Sequence, residues 1–175
     1  MMQLPAMPLP AMQLPAPMLE PFCSLDVQVG PAVSMGTSAS GLRRVVPIVG
    51  GTVRGQGDYA AFTGGVMSGG NDYQLHQTEP GQPTPTIAHL DARYTLTLLD
   101  GSLIYVHNTA LRVASAAVCA QLMRGEVVDS NLVYFRCAPR FEAGAAQWAW
   151  LMRHQFVGTG ARLPSAVHLS FFIVR

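Results

Sequence analysis

The sequence predicts a mainly β protein, a single closed or nearly closed antiparallel β-barrel carrying one short α-helix. Three observations predict it. Beyond Leu19 the chain breaks into many short apolar runs, separated by Gly, Pro, Asn and Asp at near-regular spacing. Only one stretch is alanine-rich enough to read as a helix. Strands do not alternate with helices, which argues against a doubly wound α/β sheet. Closing the sheet also hides its edges. A β-sandwich is the second architecture that the same pattern supports.

The elements follow in chain order. Residues 1–18, within "MMQLPAMPLPAMQLPAPMLEP", nearly repeat themselves and carry a proline every few residues. Such composition favours extended polyproline II, so this arm is expected to be disordered and to lie outside a barrel domain spanning 19–175. It lacks the basic start of a signal peptide. "FCSLDVQVG" alternates and reads as a strand. "GLRRVVPIVGGTVRG" gives a second, with Pro47 marking an edge or bulge. "GGVMSGGNDYQL" holds four glycines and reads as bent strands.

"HLDARYTLTLLDGSLIYVHN" is the sharpest local signal. Two β-rich runs flank Asp100-Gly101, a dipeptide favoured in two-residue hairpin loops. That loop would pair Arg93 with Asn108, Thr95 with Val106 and Thr97 with Ile104. One face would then carry Asp91, Arg93, Thr95, Thr97 and Asn108, and the other Tyr94, Leu96, Leu98, Leu103, Tyr105 and His107. A shift of one residue would scramble these faces. "RVASAAVCAQLMRGE" is the helix, from about Ala114 to Arg124, stopped by Gly125. "NLVYFRCAPRFEAG", "QWAWLMRHQFVGTG" and "SAVHLSFFIVR" read as three further strands.

One motif suggests a nucleotide site. After "VVPIVGG", the residues Gly55, Gly57 and Ala60 match G-x-G-x-x-A. A dinucleotide loop needs a helix directly after the glycines, and "AFTGGVMSGGN" is too glycine-rich to supply one. The reading that remains is a strand bent by glycine at a barrel corner, with Gly50 and Gly51 keeping side chains clear of the lumen.

Composition narrows the function. The net charge is +1, far from the basic face that a nucleic-acid binder needs. All eleven cationic side chains are arginines. A lysine Schiff base, a P-loop lysine and a Ser–Lys pair are therefore excluded. Cys23, Cys119 and Cys137 are scattered, as free thiols in a reducing, cytoplasmic setting would be. The five histidines show no metal-ligand spacing, so no metal and no cofactor are expected. No apolar run reaches the roughly 18 residues of a membrane span.

The segments "RRVVPIVGGTVRG", "SGGNDYQL", "LDARYTLTLLDGSLIYVHN", "YFRCAPRFEAG" and "WAWLMRHQFVGTGAR" together resemble the domain-of-unknown-function family 3237, also called UPF0311. The resemblance runs from about Leu19 to Arg175. It implies a calycin-like barrel around a small-molecule pocket, often as a homodimer, and leaves the reaction open. This chain departs from the family pattern in three places. Leu151-Met152-Arg153 stands where "LNR" is usual. "YVHNTALR" replaces "YVRNRGVR", which removes a cation near the pocket. Leu98 and Leu99 replace the more common Thr and Asp.

The partner expected from this reading is a small molecule, with cofactor-free acid/base chemistry or plain binding as the two uses of the lumen. Asp72, flanked by glycines and followed by Tyr73, is the candidate general acid or base. Asp91 and Arg93 lie two apart on one strand, so they share a face where Arg93 could hold an oxyanion and Asp91 orient it. Candidate ligand contacts are Tyr73, Tyr105, Asn108, Arg136, Trp148, Trp150 and Arg153. Each also has a plain reading as a turn, wall, core or surface residue.

Overall fold

A computed structural model describes residues 14–175. The expected disordered arm lies mostly outside the described residues. Ten strands form one antiparallel sheet: β1 (Leu19–Val29), β2 (Val33–Ser38), β3 (Gly41–Gly55), β4 (Gly64–Val66), β5 (Gly70–Gln77), β6 (Ile87–Leu98), β7 (Leu103–Val113), β8 (Tyr134–Ala143), β9 (Phe156–Arg162) and β10 (Ala166–Val174). The helix α1 (Ala116–Met123) falls where the alanine run predicts it. Its N-cap Ser115 accepts the Val118 N–H at 3.3 Å. None of the described helices is long and apolar enough to cross a membrane.

The hydrogen-bonded order runs β1-β10-β9-β8-β7-β6, passes through β4 and β5 to β3, and closes by pairing β3 with β1. β4 and β5 share one place in the wall, so the barrel has eight staves. The long β3 makes this possible. One of its edges carries β2 along 41–45 and β1 along 48–55. Pro47 falls in the gap between them, where its carbonyl accepts the Gly30 N–H at 2.9 Å. Lacking an N–H, proline suits that break in the ladder.

The glycines of β3 bend the strand, as expected, but they serve the wall rather than the lumen. A Cβ on Gly51, at φ +136°, would stand 2.1 Å from the Asp26 carbonyl oxygen of β1. Neither Gly50 nor Gly51 lines the lumen cavity. Beyond Gly55 only a three-residue 3₁₀ turn, Gly57–Tyr59, follows before β4. The G-x-G-x-x-A stretch therefore has no helix N-terminus to offer a phosphate.

The hairpin register differs by one residue from the sequence-based expectation. Leu98 N–H donates to Ser102 O at 2.9 Å, so the loop is the three residues Leu99–Gly101. Asp100 Oδ1 accepts the Ser102 N–H at 2.8 Å, and Gly101 takes φ +83°, the left-handed step of a three-residue loop. Arg93 now faces His107, Thr95 faces Tyr105 and Thr97 faces Leu103. Tyr105 and His107 thus move to the outer face with Arg93, and Asn108 moves inside.

Asp100 also accepts the Trp148 Nε1–H at 3.0 Å and the Gln147 Nε2–H at 3.2 Å. The Ser102 N–H, then the side chains of Gln147, Ser102 and Trp148, lower its carboxyl to about 2. Its folded pKa lies below the unfolded value of about 3.9, so its stabilising effect is complete above that value. The effect is lost as pH falls towards 2. Melting temperatures of Asp100→Asn and wild type should therefore differ at pH 5 and converge near pH 2. A constant difference across that range would contradict this account.

"QWAWLMRHQ" does not form the first part of a strand. Residues Ala146–Arg153 wind as a 3₁₀ helix before β9. Trp148 and Leu151, three apart, share the buried side, which suits a three-residue turn and not a two-residue alternation. This helix closes one end of the barrel over Phe22, Phe62, Phe141 and Phe156. At the same end Glu20 accepts from Arg175 Nε at 2.5 Å and from the Tyr59 hydroxyl at 2.6 Å. The three cysteines are unpaired. Burial pushes the Cys23 thiol well up and the Cys137 thiol to about 12, which leaves both unreactive.

Candidate active site

Alternate residues of each strand face the lumen, and residues directly opposite on antiparallel neighbours share that face. The register therefore sorts the lumen into rows. Towards the closed end, Tyr94, Val106 and Phe141 form an apolar row. Above it lie Val46, Asp72, Ala92, Asn108 and Pro139. Higher still Arg44 faces Gln74. The uppermost row is Leu42, His76, Ala88, Arg112 and Phe135. The lumen is apolar at the closed end and polar at the other.

An inner chamber of about 40 Å³ is walled by Val27, Ile48, Leu90, Tyr94, Phe135 and Leu169 and edged by Asp72, Gln74, Asn108, Arg112 and Arg162. It opens into a vestibule of about 360 Å³ that shares Gln74, Arg112 and Arg162 with it and is lined by Arg44 as well. The end of α1, Leu122–Gly125, and the Pro164-Ser165 turn form the vestibule rim. The Phe135 ring occupies the space over Gly160 of β9. A Cβ on Gly160 would meet the Phe135 ring at 2.8 Å.

Asp72 is fixed by an interruption in the sheet. The β5–β6 ladder is open between Asp72/Ala92 and Leu75/His89. Asp72 Oδ1 fills the gap by accepting the Asp91 N–H at 3.1 Å. Its Oδ2 accepts the Gln74 Nε2–H at 2.6 Å, and Gln74 Oε1 accepts from His76 Nε2 at 2.9 Å. Three inward residues on one strand thus form a hydrogen-bonded chain.

Burial raises the Asp72 carboxyl above its ordinary value, against the opposing pull of Gln74, Arg112 and the Asp91 N–H. Burial and the charges of Arg112 and Arg44 lower His76 to about 4, so its imidazole is neutral at pH 7. Tyr94 Oη and Asn108 Oδ1 are buried with no hydrogen-bond partner among the described residues. Orphaned buried polar atoms beside a cavity are groups that a ligand can satisfy. Among the described residues, no three His, Cys, Asp or Glu side chains converge as a metal site would require.

The family model described as a protein of unknown function, DUF3237, matches residues 17–174. The chain belongs to the DUF3237 family. A UPF0311 protein of Bradyrhizobium diazoefficiens is 37% identical over 139 residues, 79% of this chain and 84% of that one. The crystal structure of a conserved protein of unknown function from Rhodopseudomonas palustris superposes with a TM-score of 0.83 at 33% identity. The match covers 93% of this chain and all of that one. The crystal structure of an enzyme from Penicillium herquei shares the fold at a TM-score of 0.66 and 19% identity, covering 94% of this chain and 99% of that one.

In this DUF3237 chain the residues nominated from sequence separate into two groups. Asp72 and Asn108 face the chamber. Asp91 and Arg93 do not: they form a half-exposed ion pair at 3.2 Å on the outer wall, joined by His107 at 2.9 Å. The two-residue spacing did place them together. It could not say which face was outward, and Asp72 pairs opposite Ala92, not opposite either of them. Tyr73 is exposed, and Tyr105 shares the outer face with Arg93. Arg136 lies outside with its guanidinium 5.0 Å from the Tyr134 ring. Trp148 and Trp150 sit in the closed-end plug, and Arg153 is exposed.

Sequence reasoning missed Gln74, His76, Tyr94, Arg44, Arg112 and Arg162. One signal was present. In "NDYQLHQ" the polar Asp72, Gln74 and His76 alternate with Tyr73 and Leu75. Given a barrel, a strand bearing both a polar and an apolar face can direct the polar face inward to line a wet lumen.

Proposed function

We propose that the polar end of the lumen is the active site of a cofactor-free acid/base enzyme, of isomerase, lyase/hydratase or cyclase type, acting on a small, largely apolar cyclic metabolite. The observation that carries this reading is Asp72. It is a buried carboxyl with a raised pKa, anchored at both oxygens and lining a chamber. A carboxylate tuned upward moves closer to neutrality, where general acid/base catalysis is most effective. Arg112, whose charge acts on Asp72, takes the oxyanion-stabilising role in place of the outward-facing Arg93. The chamber admits one end of a ligand, and the vestibule holds the ring. The Penicillium herquei enzyme adds that this fold can serve catalysis.

The second reading is a carrier that binds without chemistry, favoured by the apolar wall of the chamber. The two readings separate on proton exchange. With 2-tetralone in D₂O, an enzyme should speed deuterium entry next to the carbonyl saturably, as followed by NMR. Saturable binding with exchange no faster than in buffer would select the carrier.

A further inference from the structure

Three guanidinium groups converge at the lumen mouth with no carboxylate to pair with. Arg44 of β3, Arg112 of β7 and Arg162 of β9 all line the vestibule. Among the described residues, none has a carboxylate oxygen within 4.0 Å. Arg112 is only 8% exposed, and its guanidinium makes no hydrogen bond to any described residue and lies 6.0 Å from the centre of the Phe135 ring. Arg162 is bonded to the carbonyls of Leu163, Pro164 and Ala166, which hold its fork in place without neutralising it. The charge of Asp72 acts on both Arg112 and Arg162, but Gln74 and the Asp91 N–H engage its oxygens.

A buried guanidinium without a counter-ion is costly, and three that repel one another cost more. Arg162 and Arg44 lower the proton affinity of Arg112, and Arg44 lowers that of Arg162. Such an arrangement is stabilised by an anion that the chain does not supply. The planar fork of arginine matches a carboxylate with paired N–H donors. Apolar Val29, Val46 and Leu122 line the same vestibule, so the anion's body can be a hydrocarbon ring.

We propose that Arg44, Arg112 and Arg162 form a carboxylate-binding site at the mouth of the lumen, and that the natural ligand is a small ring-bearing organic acid. The carboxylate docks on the three forks, and the rest of the molecule points to Asp72, Tyr94 and Asn108. This deepens the lumen reading above and rests on it for the ligand's placement.

The test is calorimetric binding of 2-naphthoate and its neutral isostere 2-naphthamide to the intact protein. Naphthoate should bind at least tenfold more tightly, and this margin should shrink as salt is raised. Arg112→Gln should weaken naphthoate by about tenfold to a hundredfold and naphthamide by no more than a few-fold. Arg44→Gln carries the test if Arg112→Gln does not fold, because Arg44 is only part-buried and its side chain makes no hydrogen bond to any described residue. Equal binding of acid and amide, or an acid affinity indifferent to the folded arginine variants, overturns the site. Inorganic phosphate that displaces naphthoate at equal concentration overturns the carboxylate assignment. These outcomes stand apart from 2-tetralone exchange. Arginine-dependent naphthoate binding without exchange keeps the anion site and removes the enzyme, and exchange without anion preference does the reverse.

Discussion

Asp72→Asn is expected to slow 2-tetralone deuterium exchange by about 10²–10⁴-fold while leaving 2-tetralone affinity within a few-fold. Asparagine has the same shape but accepts no proton. Its side chain can still accept the Asp91 N–H through oxygen, while its amide nitrogen now faces Gln74. The chain then reverses: Gln74 turns its oxygen to residue 72 and its nitrogen to His76. His76, neutral already, shifts its proton from Nε2 to Nδ1, which ¹⁵N shifts of the ring report. That tautomer change shows that the lumen is intact when activity is lost. The wild-type rate should rise with pH through the Asp72 pKa, which lies above the ordinary 3.8, and the variant's profile should be flat. Stability moves the other way. A raised carboxyl pKa favours the fold below the unfolded value, and this benefit is lost as pH rises through the folded one. The Asn variant should therefore melt higher than wild type at pH 7, as removal of a strained functional group often does. Exchange unchanged in a folded Asp72→Asn protein would remove Asp72 from the chemistry.

The barrel was legible because its signals are local. Glycine and proline punctuate β3, β4 and β5, alternation marks β1, and an alanine run marks α1. The family motifs lie on β3, β5, the β6–β7 hairpin, β8 and the segment leading into β9. The short β2, with every residue exposed, carries no alternation that a sequence could show. The site was less legible because it depends on register. Asp100-Gly101 identified the hairpin correctly, yet the Asp100–Ser102 hydrogen bond makes a three-residue loop. That single residue sent Tyr105 outward and Asn108 inward. Arg112 and Arg162 were invisible for a different reason. They meet only when β7 and β9, separated by β8 and α1 in the chain, close around one lumen. The tryptophans show the limit of pattern reading: Trp148 and Trp150 sit two apart, as in a strand, but the buried partner of Trp148 is Leu151.

Phe22→Ala is expected to destabilise the protein by about 3–5 kcal/mol, lowering the melting temperature by roughly 6–20 °C. Phe22 is fully buried at the closed end. Its ring lies 4.6 Å from Phe62, 5.2 Å from Phe156, 5.3 Å from Tyr59, 5.7 Å from Trp150 and 5.8 Å from Phe141. No other ring in this cluster touches so many, so its loss leaves a void walled by side chains from β8, β9, the two 3₁₀ segments 57–59 and 146–153 and the loop before β4. Rigid aromatic neighbours cannot easily collapse into such a void, which places the cost at the upper part of the range for large-to-small changes. Against a total stability of about 5–15 kcal/mol, that is a large share. Phe22→Leu keeps most of the volume and should cost much less. The functional consequence is the sharper part of the test. The row of Tyr94, Val106 and Phe141, with Leu96 and Ile104 beyond it, separates this plug from Asp72 and the arginines. Below its melting point Phe22→Ala should therefore bind 2-naphthoate as tightly as wild type, although it is far less stable. A variant that melts within about 2 °C of wild type would show that the plug is not where the barrel's stability lies. A variant that stays folded but loses naphthoate would show that the closed end shapes the ligand site after all.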